Sequence, residues 1–115
     1  MVVPRDTLGA VLVFELGLSP TRAAILARLY RAVDSYLSVR DLNDATAEAS
    51  RIYDPNNPRD DRALYVHVCH LRNQYGRDVI LSHQGMGYAL GPTGVALVKE
   101  ALRAREERIA KRMAG

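Results

Sequence analysis

Two histidines and the lone cysteine lie close together in one stretch of the chain, at His67, Cys69 and His70, and a third histidine follows at His83. Imidazole and thiolate are preferred zinc ligands, and the same pair can form a nucleophile with its base. On a helix, however, His67 and His70 share a face from which Cys69 is turned away. One cysteine also lacks the paired spacing of a structural zinc site. We therefore expect no metal site, no cofactor and no enzyme activity here.

Length and composition predict a single soluble domain. Its 115 residues are 48% hydrophobic and 25% charged, which is ordinary for a globular domain. No apolar run reaches the length needed to span a bilayer, and the start lacks the basic region of a secretory signal. These features predict a cytoplasmic protein without a membrane partner. Arginine outnumbers lysine fourteen to two, a bias typical of GC-rich bacterial or phage genomes.

Charge is distributed unevenly along the chain. Residues 1–90 carry ten arginines and ten acidic residues, whereas residues 91–115 carry six basic residues against three glutamates. The net charge of +3 therefore comes from the end of the chain. Within the neutral part, residues 62–90 hold three arginines and one aspartate. This local excess of positive charge favours a surface that meets phosphate.

Helix signals precede that segment. Leu8 to Leu16 is nearly all apolar and remains open between helix and strand, although Asp6 as an N-cap favours helix. Ser19 as N-cap and Pro20 predict a helix that continues through Val33. Ser38, with Asp41 three positions later, predicts the next one. Its apolar stripe consists of Leu42, Ala45, Ala49 and Ile52.

The second half of the chain reads as loop, helix, hairpin and helix. "DPNNPRD", residues 54–60, predicts a loop. A helix from Asp60 to Tyr75 follows, with an inward stripe of Leu64, Val68, Leu71 and Tyr75. "DVILSH" predicts a strand, "QGMG" a turn and "YAL" the returning strand. After Pro92 a helix resumes, with Val95, Val98, Leu102 and Ile109 on one side and charge on the other. That side is expected to dock on the first helix or to pair with its twin in a homodimer.

Three helices followed by a hairpin is the order of a winged helix. "RALYVHVCHLRNQYGRDVILSHQGMGYAL" resembles the C-terminal DNA-binding domain of OmpR/PhoB-type response regulators. The matching positions are Arg62, Val66, His67, Leu71, Arg72, Gly85, Gly87, Tyr88 and Leu90. "LSPTRAAILARLY" resembles the family's first helix through Leu18, Ser19, Ile25, Leu26 and Leu29. The resemblance implies a mainly α fold with a small β-hairpin, a winged helix-turn-helix over residues 18–90. Residues 1–17 would form an added N-terminal helix or strand, and residues 91–115 an added C-terminal helix.

Departures from the family pattern refine the expectation. Too few residues precede Leu18 for the family's N-terminal four-stranded sheet, so we expect a stand-alone relative without a receiver domain. The family's basic pair appears as Cys69 and His70, and its wing arginine as Gln84. The base sequence that this chain reads must then differ from that of the family.

The helical wheel turns one set of side chains away from the inward stripe. We expect double-stranded DNA to contact Arg62, Tyr65, Val66, Cys69, His70 and Asn73 on that face, His67 and Arg72 at its flanks, and Ser82, Gln84 and Tyr88 on the wing. In this hypothesis Val66 meets a thymine methyl, and His70 or Asn73 meets a base edge. Phosphate oxygens bind Arg62, Arg72, His67 and Tyr88.

The function that follows is a sequence-specific transcriptional regulator, with helix 60–75 in the major groove and wing 79–90 on the flanking backbone or minor groove. The alternative is a winged-helix interaction module that docks on RNA polymerase or another regulator. The neutral charge of residues 1–90 and the acidic Asp54, Asp60 and Asp61 favour that alternative, because phosphate repels carboxylates.

Overall fold

Five helices and one hairpin make up the described part of the chain. The structure, a computed structural model, describes residues 7–53 and 61–114, and the side chains of residues 8–46 and 64–114. The elements are α1 (Thr7–Leu16), α2 (Pro20–Arg31), α3 (Val39–Tyr53), α4 (Asp61–Tyr75), a short 3-10 helix (Arg77–Val79), β1 (Ile80–His83), β2 (Gly87–Leu90) and α5 (Pro92–Ala114). The fold is mainly α-helical with a small β-hairpin, as predicted. The segment left open between helix and strand is helix α1. Asp6, Asp60 and the predicted loop at 54–60 lie outside the described residues.

Serine side chains cap the starts of α2 and α3. The hydroxyl of Ser19 accepts a hydrogen bond from the backbone N–H of Arg22 at 3.3 Å. The hydroxyl of Ser38 accepts one from the N–H of Asp41 at 3.1 Å. Each bond satisfies a donor that has no partner within its own helix. Both predicted N-caps are confirmed.

The end of α2 comes earlier than predicted. The helix ends at Arg31, and Val33 lies beyond it with 42% of its surface exposed. The N–H groups of Ala32 and Val33 reach back to the carbonyls of Leu29 and Tyr30, both at 3.2 Å. Asp34 then takes a left-handed conformation with φ 74°, which short polar side chains tolerate better than other residues. This turn redirects the chain toward Leu37, so a helix through Val33 was wrong.

The core collects the inward stripes of the helices. In α4, Leu64, Val68 and Leu71 are buried and Tyr75 packs partly against them, which confirms the predicted stripe. In α3, Leu42 is fully buried. These side chains join buried residues of α1, α2, the hairpin and α5 in one cluster. Their burial fixes which face of α4 is left toward solvent.

The hairpin is antiparallel and pairs Ile80 with Leu90 and His83 with Gly87. Positive φ angles at Gly85 and Gly87 fit the predicted glycine turn. The strand starts later than predicted, however, because Asp78 and Val79 belong to the 3-10 helix. Val79 is fully buried there, and its carbonyl accepts a hydrogen bond from the N–H of Gly91 at 3.0 Å. The predicted wing, residues 79–90, is therefore corrected to a hairpin that begins at Ile80.

A third extended segment joins the hairpin. Leu37, between α2 and α3, pairs with Tyr88 in an antiparallel bridge. The Leu37 N–H donates to the Tyr88 carbonyl at 2.7 Å, and the Tyr88 N–H donates to the Leu37 carbonyl at 2.9 Å. Sequence reasoning missed this bridge, which fastens the hairpin to the start of α3.

Helix α5 packs on α1, α2 and the 3-10 helix. Val98 is fully buried and Val95 and Leu102 are partly buried, but Ile109 is 40% exposed. Of the two predicted arrangements for its apolar side, docking on the first helix is observed, and a homodimer stays a prediction. No helix among the described residues is long and apolar enough to cross a bilayer.

Candidate nucleic-acid interface

One face of α4 is left open to solvent. Tyr65 is 59% and Val66 48% exposed, and His70 and Asn73 are exposed as well. All four lie away from Leu64, Val68 and Leu71, as the helical wheel predicts. The side chain of Arg62 lies outside the described residues. The face offers an apolar group, an imidazole, a carboxamide and a phenol, which are side chains that can contact base edges.

Tyr65, Cys69 and Tyr88 lie together where α4 meets the hairpin. The pKa of the Tyr65 phenol is raised, mainly by a hydrogen bond with Cys69, which is half-buried one turn along the helix. The nearby Tyr88 raises this pKa further. An ordinary phenol, with a pKa near 10, is already protonated at neutral pH, and the raised pKa of Tyr65 keeps it so. A protonated phenol can donate a hydrogen bond and adds no negative charge to this face of α4.

Arg72 connects α4 to the hairpin. Its Nε and Nη2 atoms both donate to the backbone carbonyl of Ile80, at 3.1 and 2.8 Å. The planar guanidinium donates two hydrogen bonds to one acceptor, which makes the connection rigid. Arg72 thus positions the hairpin beside α4, a role that sequence reasoning missed, and its contact with phosphate stays a prediction.

His67 lies half-buried at the edge of α4, against α2. Its Nδ1 accepts a hydrogen bond from Nε of Arg22 at 3.3 Å. Burial, followed by the charges of Arg22 and His70, lowers the pKa of His67. The ring is therefore neutral at neutral pH and presents no positive charge to phosphate. Arg22 was not among the predicted site residues because its contact with His67 joins two helices distant in sequence.

The hairpin ends in an exposed tip. Ser82, His83 and Gln84 are exposed, and Met86 exposes 52% of its surface. The His83 ring packs edge-on against Tyr36, with centroids 5.6 Å apart. Tyr88, also predicted as a DNA contact, is partly buried where it pairs with Leu37. Sequence reasoning missed Met86, although an apolar residue between two turn glycines was a visible signal.

A groove of about 420 Å³ separates α4 from the hairpin. Its lining residues are Cys69, Arg72, Asn73, Arg77, Ile80, Leu81 and Ser82. Arg77 is exposed; sequence reasoning counted it in the local excess of positive charge but not among the predicted DNA contacts. The groove brings two guanidinium groups between the α4 face and the hairpin. A backbone phosphate is the complement of such a groove.

In the part of the chain that the structure describes, no three histidine, cysteine, aspartate or glutamate side chains are grouped so that they could hold a metal ion. The buried side-chain nitrogen and oxygen atoms in this part all have hydrogen-bond partners. Comparisons with protein-family models, with curated proteins and with solved structures gave no match to this chain.

Proposed function

We propose that the protein is a winged helix-turn-helix that binds double-stranded DNA sequence-specifically and regulates transcription. Helix α4 enters the major groove, and the hairpin acts as the wing on the flanking backbone or minor groove. The observation that carries the proposal is the exposed α4 face, with His70 and Asn73, beside the exposed hairpin tip.

The order of elements supports this proposal. The order along the chain is helix α2, the isolated β-bridge at Leu37, helices α3 and α4, and the two strands of the hairpin. Three helices followed by a hairpin, with a bridge from the first interhelical segment to the hairpin, is the order of a winged helix. Arg72 and the Leu37–Tyr88 bridge each attach the hairpin to a different helical segment, so the wing has a defined orientation beside α4.

A salt titration tests DNA binding. Fluorescence anisotropy with a random duplex should show log K falling as log salt rises, with a slope of roughly −0.9 per phosphate contacted. Arg77→Ala should reduce the steepness by about one contact and weaken all duplexes alike. Arg105→Ala removes the same charge from α5 and is the matched control, which should leave the slope unchanged.

Sequence specificity has its own test. Bound duplexes selected from a random library should share a preferred site for the wild-type protein. Asn73→Ala or His70→Ala should relax the preference at one base pair, by about 1–3 kcal/mol of discrimination, while the rest of the site is retained. If the selected duplexes share no site, the protein does not bind DNA sequence-specifically.

The second candidate is an interaction module that docks on RNA polymerase or another regulator. The observation that favours it is the zero net charge of residues 1–90, because specific DNA binders usually present a stronger positive field. If the protein shows no affinity for duplex DNA at low salt, this second function would be the remaining candidate.

A further inference from the structure

An open groove lies between α1 and the C-terminal half of α5. It measures about 380 Å³ and is lined by Ala10, Val11, Phe14, Glu15, Arg105, Arg108, Ile109 and Arg112. None of these residues belongs to α4 or the hairpin. Phe14 is 72% and Ile109 40% exposed, and Met113, one residue beyond Arg112, is 81% exposed. Exposed large apolar side chains gathered on one face mark interaction sites more often than isolated ones do.

The arginines of this groove differ in their partners. Arg108 forms an ion pair with Glu15, whose side chain is only 12% exposed. The Arg108 guanidinium also lies over the Phe14 ring, 4.4 Å from its centroid, which holds the ring in place. No described residue forms an ion pair with Arg105 or Arg112. The groove thus combines an exposed aromatic ring with two guanidinium groups that have no ion-pair partner within residues 7–53 and 61–114.

That combination selects among occupants. In a two-fold pair of this chain the same patch meets itself. Three arginines and one glutamate line the groove, so both copies would bring net positive charge to the contact, and like charges repel. A nucleic acid would satisfy the arginines but leave Ile109 and Met113 uncovered by apolar surface. An acidic peptide with apolar side chains at helical spacing complements both the charge and the apolar surface.

We propose that the groove between α1 and α5 docks an acidic, amphipathic segment of a partner protein. An apolar side chain of that segment packs against Phe14 and Ile109, and its carboxylates pair with Arg105 and Arg112. This inference goes beyond the proposed DNA binding and holds whether or not α4 meets a duplex.

The test uses a synthetic probe and the full chain. The probe is a fluorescein-labelled peptide of about 15 residues, with leucine or phenylalanine at every third or fourth position and aspartate or glutamate between them. One control peptide replaces the acidic residues with lysine, and another replaces the apolar residues with serine. Anisotropy should show binding of the probe that weakens with salt, and both controls should bind at least about tenfold more weakly.

Charge-matched variants separate the groove from the general charge of α5. The double variant Arg105→Glu with Arg112→Glu should bind the probe about tenfold more weakly than the wild-type protein, or weaker still. Lys99→Glu with Lys111→Glu makes the same change in net charge on the same helix, outside the groove lining, and should change affinity by less than about twofold. Phe14→Ser should weaken the probe without any change in charge. Circular dichroism would verify that each variant keeps its helices, as the exposure of these side chains predicts.

Several results would overturn the proposal. These are absence of probe binding to the wild-type protein, equal binding of the lysine peptide, or equal loss in the two charge variants. If light scattering shows that the wild-type protein is a dimer and that Phe14→Ser is a monomer, the occupant of the groove would be a second copy of this chain. Binding of a single-stranded oligonucleotide that Arg105→Glu with Arg112→Glu abolishes, without loss of probe binding, would assign these arginines to nucleic acid. Duplex binding by α4 is measured separately, so its failure would not be confused with any of these outcomes.

Discussion

Alanine substitutions at Gly85 and Gly87 form a matched pair that tests how the hairpin is attached. Both glycines have positive φ, 83° and 110°. A Cβ at Gly85 would meet no atom within 4 Å. A Cβ at Gly87 would lie 2.0 Å from the carbonyl oxygen of Leu37 and 2.8 Å from its carbonyl carbon. The two alanines therefore share the backbone strain, and only the one at Gly87 adds a clash.

The magnitude follows from these contacts. Positive φ costs an L-residue about 1–2 kcal/mol, so Gly85→Ala should lower the free energy of unfolding by that amount. At Gly87 the clashing atoms belong to backbone, which has no rotamer with which to withdraw. The segments must separate and lose the two hydrogen bonds between Leu37 and Tyr88, each worth about 0.5–1.5 kcal/mol. Gly87→Ala should then cost about 2–5 kcal/mol in total.

Urea unfolding followed by circular dichroism measures both free energies by linear extrapolation. Amide hydrogen exchange locates the effect, because the N–H groups of Leu37 and Tyr88 should be protected in the wild-type protein and in Gly85→Ala but not in Gly87→Ala. If the hairpin is the wing, Gly87→Ala should also weaken duplex binding more than Gly85→Ala does. Equal unfolding free energies, together with retained protection in Gly87→Ala, would refute the reasoning.

Three further predictions concern burial, capping and pH. Leu71 is fully buried in α4, so Leu71→Ala should lower the free energy of unfolding in urea by about 2–5 kcal/mol. Leu81 is 37% exposed, and Leu81→Ala should lower it much less. Similar losses in the two variants would contradict the core assignment. Ser38→Ala should lower the free energy of unfolding by about 0.5–2 kcal/mol and Ser38→Asp should retain most of it, and an alanine variant as stable as wild type would argue against the cap. His67 has a lowered pKa in the folded chain, so the unfolded chain binds a proton first, and stability should decline as the pH falls through about 6.5, the ordinary histidine value. His67→Gln should flatten that decline in urea unfolding measured at a series of pH values, and an unchanged slope would exclude His67 as its source.

Helix starts and the inward face of α4 could be predicted because their causes are local. Ser19 and Ser38 accept hydrogen bonds from residues three positions away, a distance within reach of any sequence window. The apolar spacing in α4 predicted its buried side chains, and therefore also the exposure of His70 and Asn73. The glycines of the turn similarly marked the hairpin, because positive φ is a property of single positions.

Element ends were predicted less well. The apolar pattern of α2 continued through Val33, but the chain turns at Asp34 so that Leu37 can reach Tyr88. The β-branched run suggested a strand from Asp78, but the chain first forms a 3-10 helix that buries Val79. In both places a distant partner determined where the element ends.

The sequence by itself determined that α2, α3, α4 and α5 are helices, where the hairpin turns and which side of α4 faces the core. Only the tertiary structure decided that Arg72 holds the hairpin through the Ile80 carbonyl and that His67 is kept neutral beside Arg22. It also decided that α1 and α5 form an open groove with Phe14 in its lining. The physical reason is range: caps, turns and helical periodicity depend on residues a few positions apart, whereas these contacts exist only after packing brings distant segments together.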